Sequence, residues 1–107
     1  MCKLSIVAIG VLVVGCGMGS VHPGEKAKIE SGATGCDTEE AFNKLNIYVN
    51  KDNDIDRGNR ELVYPGHCAG FKKDEIVNVI RESGDLRKIQ RADGTELWTS
   101  WKWLGVV

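Results

Sequence analysis

The sequence predicts a mainly β protein with one helix at its N-terminal side, an α+β arrangement. Three observations carry this. Residues 75–81 (Glu-Ile-Val-Asn-Val-Ile-Arg) are β-branched and partly alternating, the pattern of a strand with one buried face. Asp93-Gly94 separates two such stretches and is a two-residue hairpin signal. Upstream, Phe42, Leu45 and Val49 recur at i, i+3 and i+7, the stripe of an amphipathic helix.

The chain begins with a short basic segment, Met1-Cys2-Lys3, and residues 4–14 are apolar except for Ser5. That run fits the h-region of a secretory signal and is shorter than the ~20 residues needed to span a bilayer. A buried core element is the competing reading. It is disfavoured by Gly10, Gly15, Gly17 and Gly19, which cost conformational entropy in a regular element. A cysteine, Cys16, stands where a plain signal would end in small residues. Cleavage after Gly19 or Ser20 is the alternative cut.

Removing residues 1–15 from the 107 leaves 92, one small domain. The remainder carries 13 Lys+Arg against 15 Asp+Glu, a formal charge of −2, which gives no electrostatic case for nucleic acid. Residues 16–35 are mostly Gly, Ser, Lys, Glu and Ala. By composition they are expected to be a flexible tether, in which His22 has no specific role.

Asp37 is placed as the cap of the helix, with Glu40 three residues on, and acids in the first turn suit the helix dipole. Asp52, Asp54 and Asp56 alternate in a polar loop. Counted from Asp52, an EF-hand would need Gly and Glu where Arg57 and Val63 stand, so a solvated acidic loop is expected. Residues 61–64 read as a short turn of helix or strand before Pro65-Gly66. After Cys68 the strands follow: 75–81, then 86–91 past the turn at 83–85, then 96–99. Residues 100–102 suit a 3₁₀ turn, and Trp103-Leu104 a closing strand.

With Cys2 in the leader and Cys16 at the cut, Cys36 and Cys68 remain. An exported chain meets an oxidising compartment, where an even pair reads as a disulfide. It would staple the helix to the segment carrying Cys68. A metal pair with His67 is the alternative, without four-ligand spacing. No cofactor or metal is expected.

Two resemblances add to this. Val13-Val14-Gly15-Cys16 resembles the lipobox of bacterial lipoproteins, with Val13 in the place leucine usually takes. The resemblance implies a signal peptide over residues 1–15, cleavage before Cys16 and lipid on its sulfur. It also implies a membrane anchored through that lipid. Gly17, where Asp would retain the protein at the inner membrane, implies the outer membrane, facing the periplasm or the cell surface. The second resemblance covers 68–104. Val77-Asn78-Val79, Leu86-Arg87-Lys88-Ile89, Asp93-Gly94, Leu97-Trp98-Thr99 and Trp103-Leu104 look like the strands of a small bacterial SH3-like barrel of five strands. It would lie within a domain over 36–107 that also holds the helix. In that pattern Trp98, Val77, Val79 and Ile89 point inward, while Asn78, Arg87 and Arg91 face solvent. Phe42 and Leu45 would turn towards the barrel.

No nucleophile with a base, carboxylate pair or metal cluster is legible, so an enzyme is not expected. Trp98, Trp101 and Trp103 lie within six residues. Two of them are expected in the core. A third, with Tyr64 and Phe71, is a candidate recognition surface: Tyr64, Phe71, Trp101 and Trp103. The function expected is a lipid-anchored envelope protein, monomeric, whose SH3-like domain recognises an envelope protein, a peptide or cell-wall glycan. The other class is an envelope inhibitor or exclusion lipoprotein, such as a phage encodes, that blocks a receptor or an enzyme.

Overall fold

The computed structural model describes residues 3–6, 12–15, 21–30 and 32–107. Nine strands are present among them. β1 (Lys3–Ile6) and β2 (Leu12–Gly15) pair antiparallel with each other alone. The other seven form one antiparallel sheet in the order β5-β4-β8-β7-β6-β3-β9. Its members are β3 (Lys26–Ile29), β4 (Thr34–Cys36), β5 (Cys68–Gly70), β6 (Ile76–Ser83), β7 (Leu86–Gln90), β8 (Glu96–Ser100) and β9 (Leu104–Val106).

β6, β7 and β8 are the meander that alternation and Asp93-Gly94 predict. Val79 opposes Ile89, and Ile89 opposes Leu97. Val77, Val79 and Ile89 are buried and Asn78 is exposed. Between Val79 and Arg81 the register shifts by one. Ile80 is the extra residue of a β-bulge, which bends the strand. β6 can therefore pair with β3 through Ile76, Val77 and Asn78, and with β7 from Asn78 onward. A single 3₁₀ turn, Trp101–Trp103, follows β8 and leads into β9. The sheet does not close into a barrel: β5 and β9 are its two edges.

The tether expectation fails for residues 21–30 and 32–35. β3 lies between β6 and β9, with Ala27 opposite both Val77 and Val106. Ala27 and Ile29 are wholly buried, and Val21 and Ala33 nearly so. Lys26-Ala27-Lys28-Ile29 alternates exposed and buried, the period-2 pattern of a strand. Composition hid it, because the inward residues are few and one is only alanine.

Two apolar clusters lie on opposite faces of the sheet. The first holds Val21, Ala27, Ile29, Ala33, Val77, Val79, Ile89, Leu97 and Leu104. The second forms under the helices around Cys36, Cys68, Ala41, Phe42 and Leu62. Cys36 opposes Cys68 on one side and Trp98 on the other. Residues paired directly share a face, so the cystine and Trp98 lie on the helix side. Gly35 lies on the first-cluster side, where a Cβ would fall 2.6 Å from Phe71 Cζ.

α1 (Glu39–Asn46) is capped by Thr38, whose Oγ1 accepts from Ala41 N at 3.0 Å. Thr38 holds the place the sequence assigned to Asp37. Asp37 instead accepts from the His67 ring, Nδ1 to Oδ2 at 3.0 Å. The helix widens into a π-helical turn, Ile47–Lys51, and the same happens after α2 (Ile55–Gly58) at Asn59–Val63. Phe42 packs into the second cluster, which Leu45 flanks, as the stripe predicts.

Two orientations differ from expectation. Trp98 is half-buried, and its neighbours Leu97 and Thr99 take the inner positions. The reason is register: Leu97 opposes inward-facing Ile89, so Trp98 opposes Lys88 on the other face, with Lys88 Nζ 6.0 Å from its ring. Arg87 is buried, not exposed, at 5%, because strand alternation sets it on the same face as Ile89. Arg91 is half-buried.

Candidate functional site

The cystine between Cys36 and Cys68 is formed, and both residues are buried. It fixes α1 and the loop after Val63 to adjacent strands. It has no surface at which a thiol reagent could act, so its part is structural. Cys16, the expected lipidation site, lies outside the described residues, as do residues 16–20 of the expected tether.

The candidate aromatic surface does not assemble as one patch. Phe71 is half-buried against the first cluster, with the Arg91 guanidinium 5.3 Å from its ring. Arg91 itself is held by both oxygens of Glu75, Nε to Oε2 at 2.7 Å and Nη2 to Oε1 at 2.9 Å. That pairing lowers the Glu75 carboxyl below its ordinary value and raises the arginine further. Tyr64 is 76% exposed at the end of the second π-helical turn. Trp101 is half-buried and its backbone N–H donates to Asp85 O. Trp103 is 43% exposed, and its carbonyl accepts from Glu30 N at the end of β3. Trp101 and Trp103 thus attach to different parts of the sheet.

The structure supplies a site that the aromatic pattern did not indicate. An open groove of about 390 Å³ runs between α1 and the end of the sheet. Phe42 and Leu86 are its apolar lining. Asn43 and Asn46 of α1 face Ser83, Asp85, Ser100 and Lys102 across it. Side-chain amides, hydroxyls, the two carboxylates of Glu39 and Asp85 and an ammonium along an apolar strip can hold an extended peptide or a sugar chain by directed hydrogen bonds. The sequence signal was present: Asn43 and Asn46 are one helical turn apart beside Phe42.

At the same end of the sheet, on its other face, the Arg87 side chain donates three hydrogen bonds. Its Nε donates to Val21 O at 2.8 Å, and its Nη1 to Gly84 O at 2.7 Å and Leu86 O at 2.9 Å. Glu82 Oε1 lies 3.7 Å from its Nη2 and 2.9 Å from His22 Nδ1. The bond with His22, followed by the field of Arg87, holds the Glu82 carboxyl below its ordinary range. His22, read as idle from composition, is one part of this clamp.

The acidic loop has structural duties. Asp54 Oδ1 accepts from Arg57 N, and Asp56 pairs with Arg60. Among the described residues no group of three or more His, Cys, Asp or Glu is placed to hold a metal ion, and no helix is long and apolar enough to cross a membrane. No known protein family, curated protein or solved structure matches the chain.

Proposed function

We propose that the chain is a lipid-anchored protein of the bacterial cell envelope whose small SH3-like domain binds an envelope partner, with the groove between α1 and the sheet as its binding site. The lipid confines the domain near a membrane and raises its effective concentration for partners there.

The observation that carries the reading is the path of five strands. β3, β6, β7, β8 and β9 run through one sheet, with a 3₁₀ turn before the last. Five is the strand number of a small SH3-like barrel, and on this reading β4, β5 and the helices are an insertion between its first two strands that leaves an open seven-stranded sheet. Two further features support an exported, processed chain. The cystine is a bond kept in oxidising compartments. β1 and β2 pair with no strand of the larger sheet, so excising residues 1–15 removes none of its strand pairing.

The experiment has two arms. In an expressing bacterium, the chain incorporates labelled palmitate and sediments with the envelope, and Cys16→Ser abolishes both. A chain that takes up no label overturns the anchor. A photo-reactive p-azidophenylalanine at Asn43 then captures a discrete partner in intact cells, while the same group at Asp56, away from the groove, does not. Equal capture, or none, at the two positions overturns the groove as the binding site.

A further inference from the structure

We infer that the domain is leashed so closely to the membrane that one end of its sheet, the end formed by Val21, His22 and the turn between β6 and β7, meets the lipid headgroup layer. The inference rests on the lipid anchor at Cys16 proposed above.

The argument is one of length. A tether over residues 16–35 would let the domain wander far from the bilayer. Val21 instead is already part of the domain: it is 3% exposed and its carbonyl accepts from the buried Arg87. His22 adds a second hold through Glu82, and Gly24 N donates to Val79 O. From Cys16 to Val21 there are five peptide links, which span at most about 18 Å when fully extended. A folded domain of about 90 residues is roughly 30 Å across, wider than that span. The Arg87 guanidinium therefore lies one hydrogen bond beyond the end of that span.

The two ends of β7 consequently stand at different heights above the lipid. Leu86 and Arg87 start the strand beside Val21. Four strand steps of about 3.3 Å later the chain reaches Arg91, and the turn at 92–95 lies further out. The end nearest the anchor also carries groups suited to a headgroup layer. Trp101 N–H donates to Asp85 O, which brings Trp101 and Lys102 next to the β6–β7 turn. Tryptophan and lysine are residues that settle at membrane–water boundaries. Glu82, whose charge a membrane of anionic lipids would repel, is hydrogen-bonded by His22 and faces the Arg87 guanidinium. The groove shares Ser83, Asp85, Leu86 and Lys102 with this end, so it opens beside the headgroups.

The test uses the lipidated protein, purified and placed in vesicles of radiolabelled phospholipid, with p-azidophenylalanine at Asp85 or at Asp93. Photolysis is expected to attach lipid several-fold more from position 85 than from position 93. Equal attachment overturns the inference. Inserting about 20 Gly/Ser residues between Ser20 and Val21 adds roughly 25 Å of root-mean-square reach and is expected to remove the difference. A difference that survives the insertion also overturns it, because the leash would not be the cause. Failure of the anchor is separate: it appears earlier, as protein that carries no acyl chain and does not float with vesicles.

Discussion

Arg87 and Val21 are 66 residues apart in the chain and joined by a 2.8 Å hydrogen bond, guanidinium Nε to carbonyl oxygen. The bond ties the segment before β3 to the start of the central strand, β7. A buried cation is costly unless its donors are used, and here two backbone carbonyls beside it take the other bonds.

Arg87→Met should therefore destabilise the domain by about 2–4 kcal/mol, since it leaves carbonyls without a donor in a buried setting. Arg87→Lys should recover less than half of that, because an ammonium cannot present the planar fork that reaches several carbonyls at once. Urea midpoints of the three proteins decide it. A loss under about 0.5 kcal/mol in Arg87→Met, the size of an ordinary surface change, would show the clamp to be dispensable.

Reducing the cystine should cost on the order of 3–4 kcal/mol, from the loop of sequence separation 32 that it closes. Because the second cluster is built on Cys36 and Cys68, the loss should not spread evenly. Amides of α1 and of 47–63 are expected to exchange faster than those of β6 and β7 in Cys36→Ala/Cys68→Ala. Uniform acceleration across both regions would contradict the two-cluster description.

Acid should weaken the fold through Glu75. Its folded-state pKa is depressed by Arg91 below the ordinary 4.5, so the stabilisation is complete above that value and is lost as the pH falls through the lower, folded value. Glu75→Gln removes this contribution, on the order of 1–2 kcal/mol for a charge-assisted pair with little solvent exposure. Below pH 4.5 the variant and the parent should converge. Stability curves measured from pH 7 downward that stay parallel would refute the assignment.

Gly35→Ala should destabilise by about 1–3 kcal/mol, since the new methyl would press on Phe71 Cζ at 2.6 Å and Cε2 at 2.9 Å. Combining it with Phe71→Leu should cost less than the two changes added, because the smaller side chain clears the space. Strict additivity in a double-mutant cycle would mean that the strain is relieved elsewhere.

Where the alternation of the sequence is long and regular, the fold could be read from it. Val77, Val79 and Ile89 turn inward and the Asp93-Gly94 turn joins β7 to β8 as expected. The helix stripe was equally plain at Phe42. β3 was not, because four residues with alanine and one isoleucine inside carry little local signal. Their strand is made by long-range pairing to β6 and β9. Trp98 and Arg87 illustrate a different failure. Matching a family pattern set Trp98 inward by one residue, and a one-residue slip exchanges the faces of a strand. The groove is a third case: Asn43 and Asn46 beside Phe42 mark one wall in the sequence, but the other, the 83–86 turn, is brought opposite it only by the sheet.

The placement of β9 has a consequence for how the protein is made. Ala27 pairs with Val106, nearly the full length of the domain apart. Closing so long a loop is entropically expensive, and topologies dominated by such contacts fold slowly. β3 cannot complete its pairing until residues 104–106 have been synthesised. Until then one of its edges stands open, with Ala27 and Ile29 uncovered. The β3 edge therefore stays unpaired for as long as residues 104–106 are missing. A stop codon before Leu104 would leave a product that never covers that side of its core and is open to proteolysis.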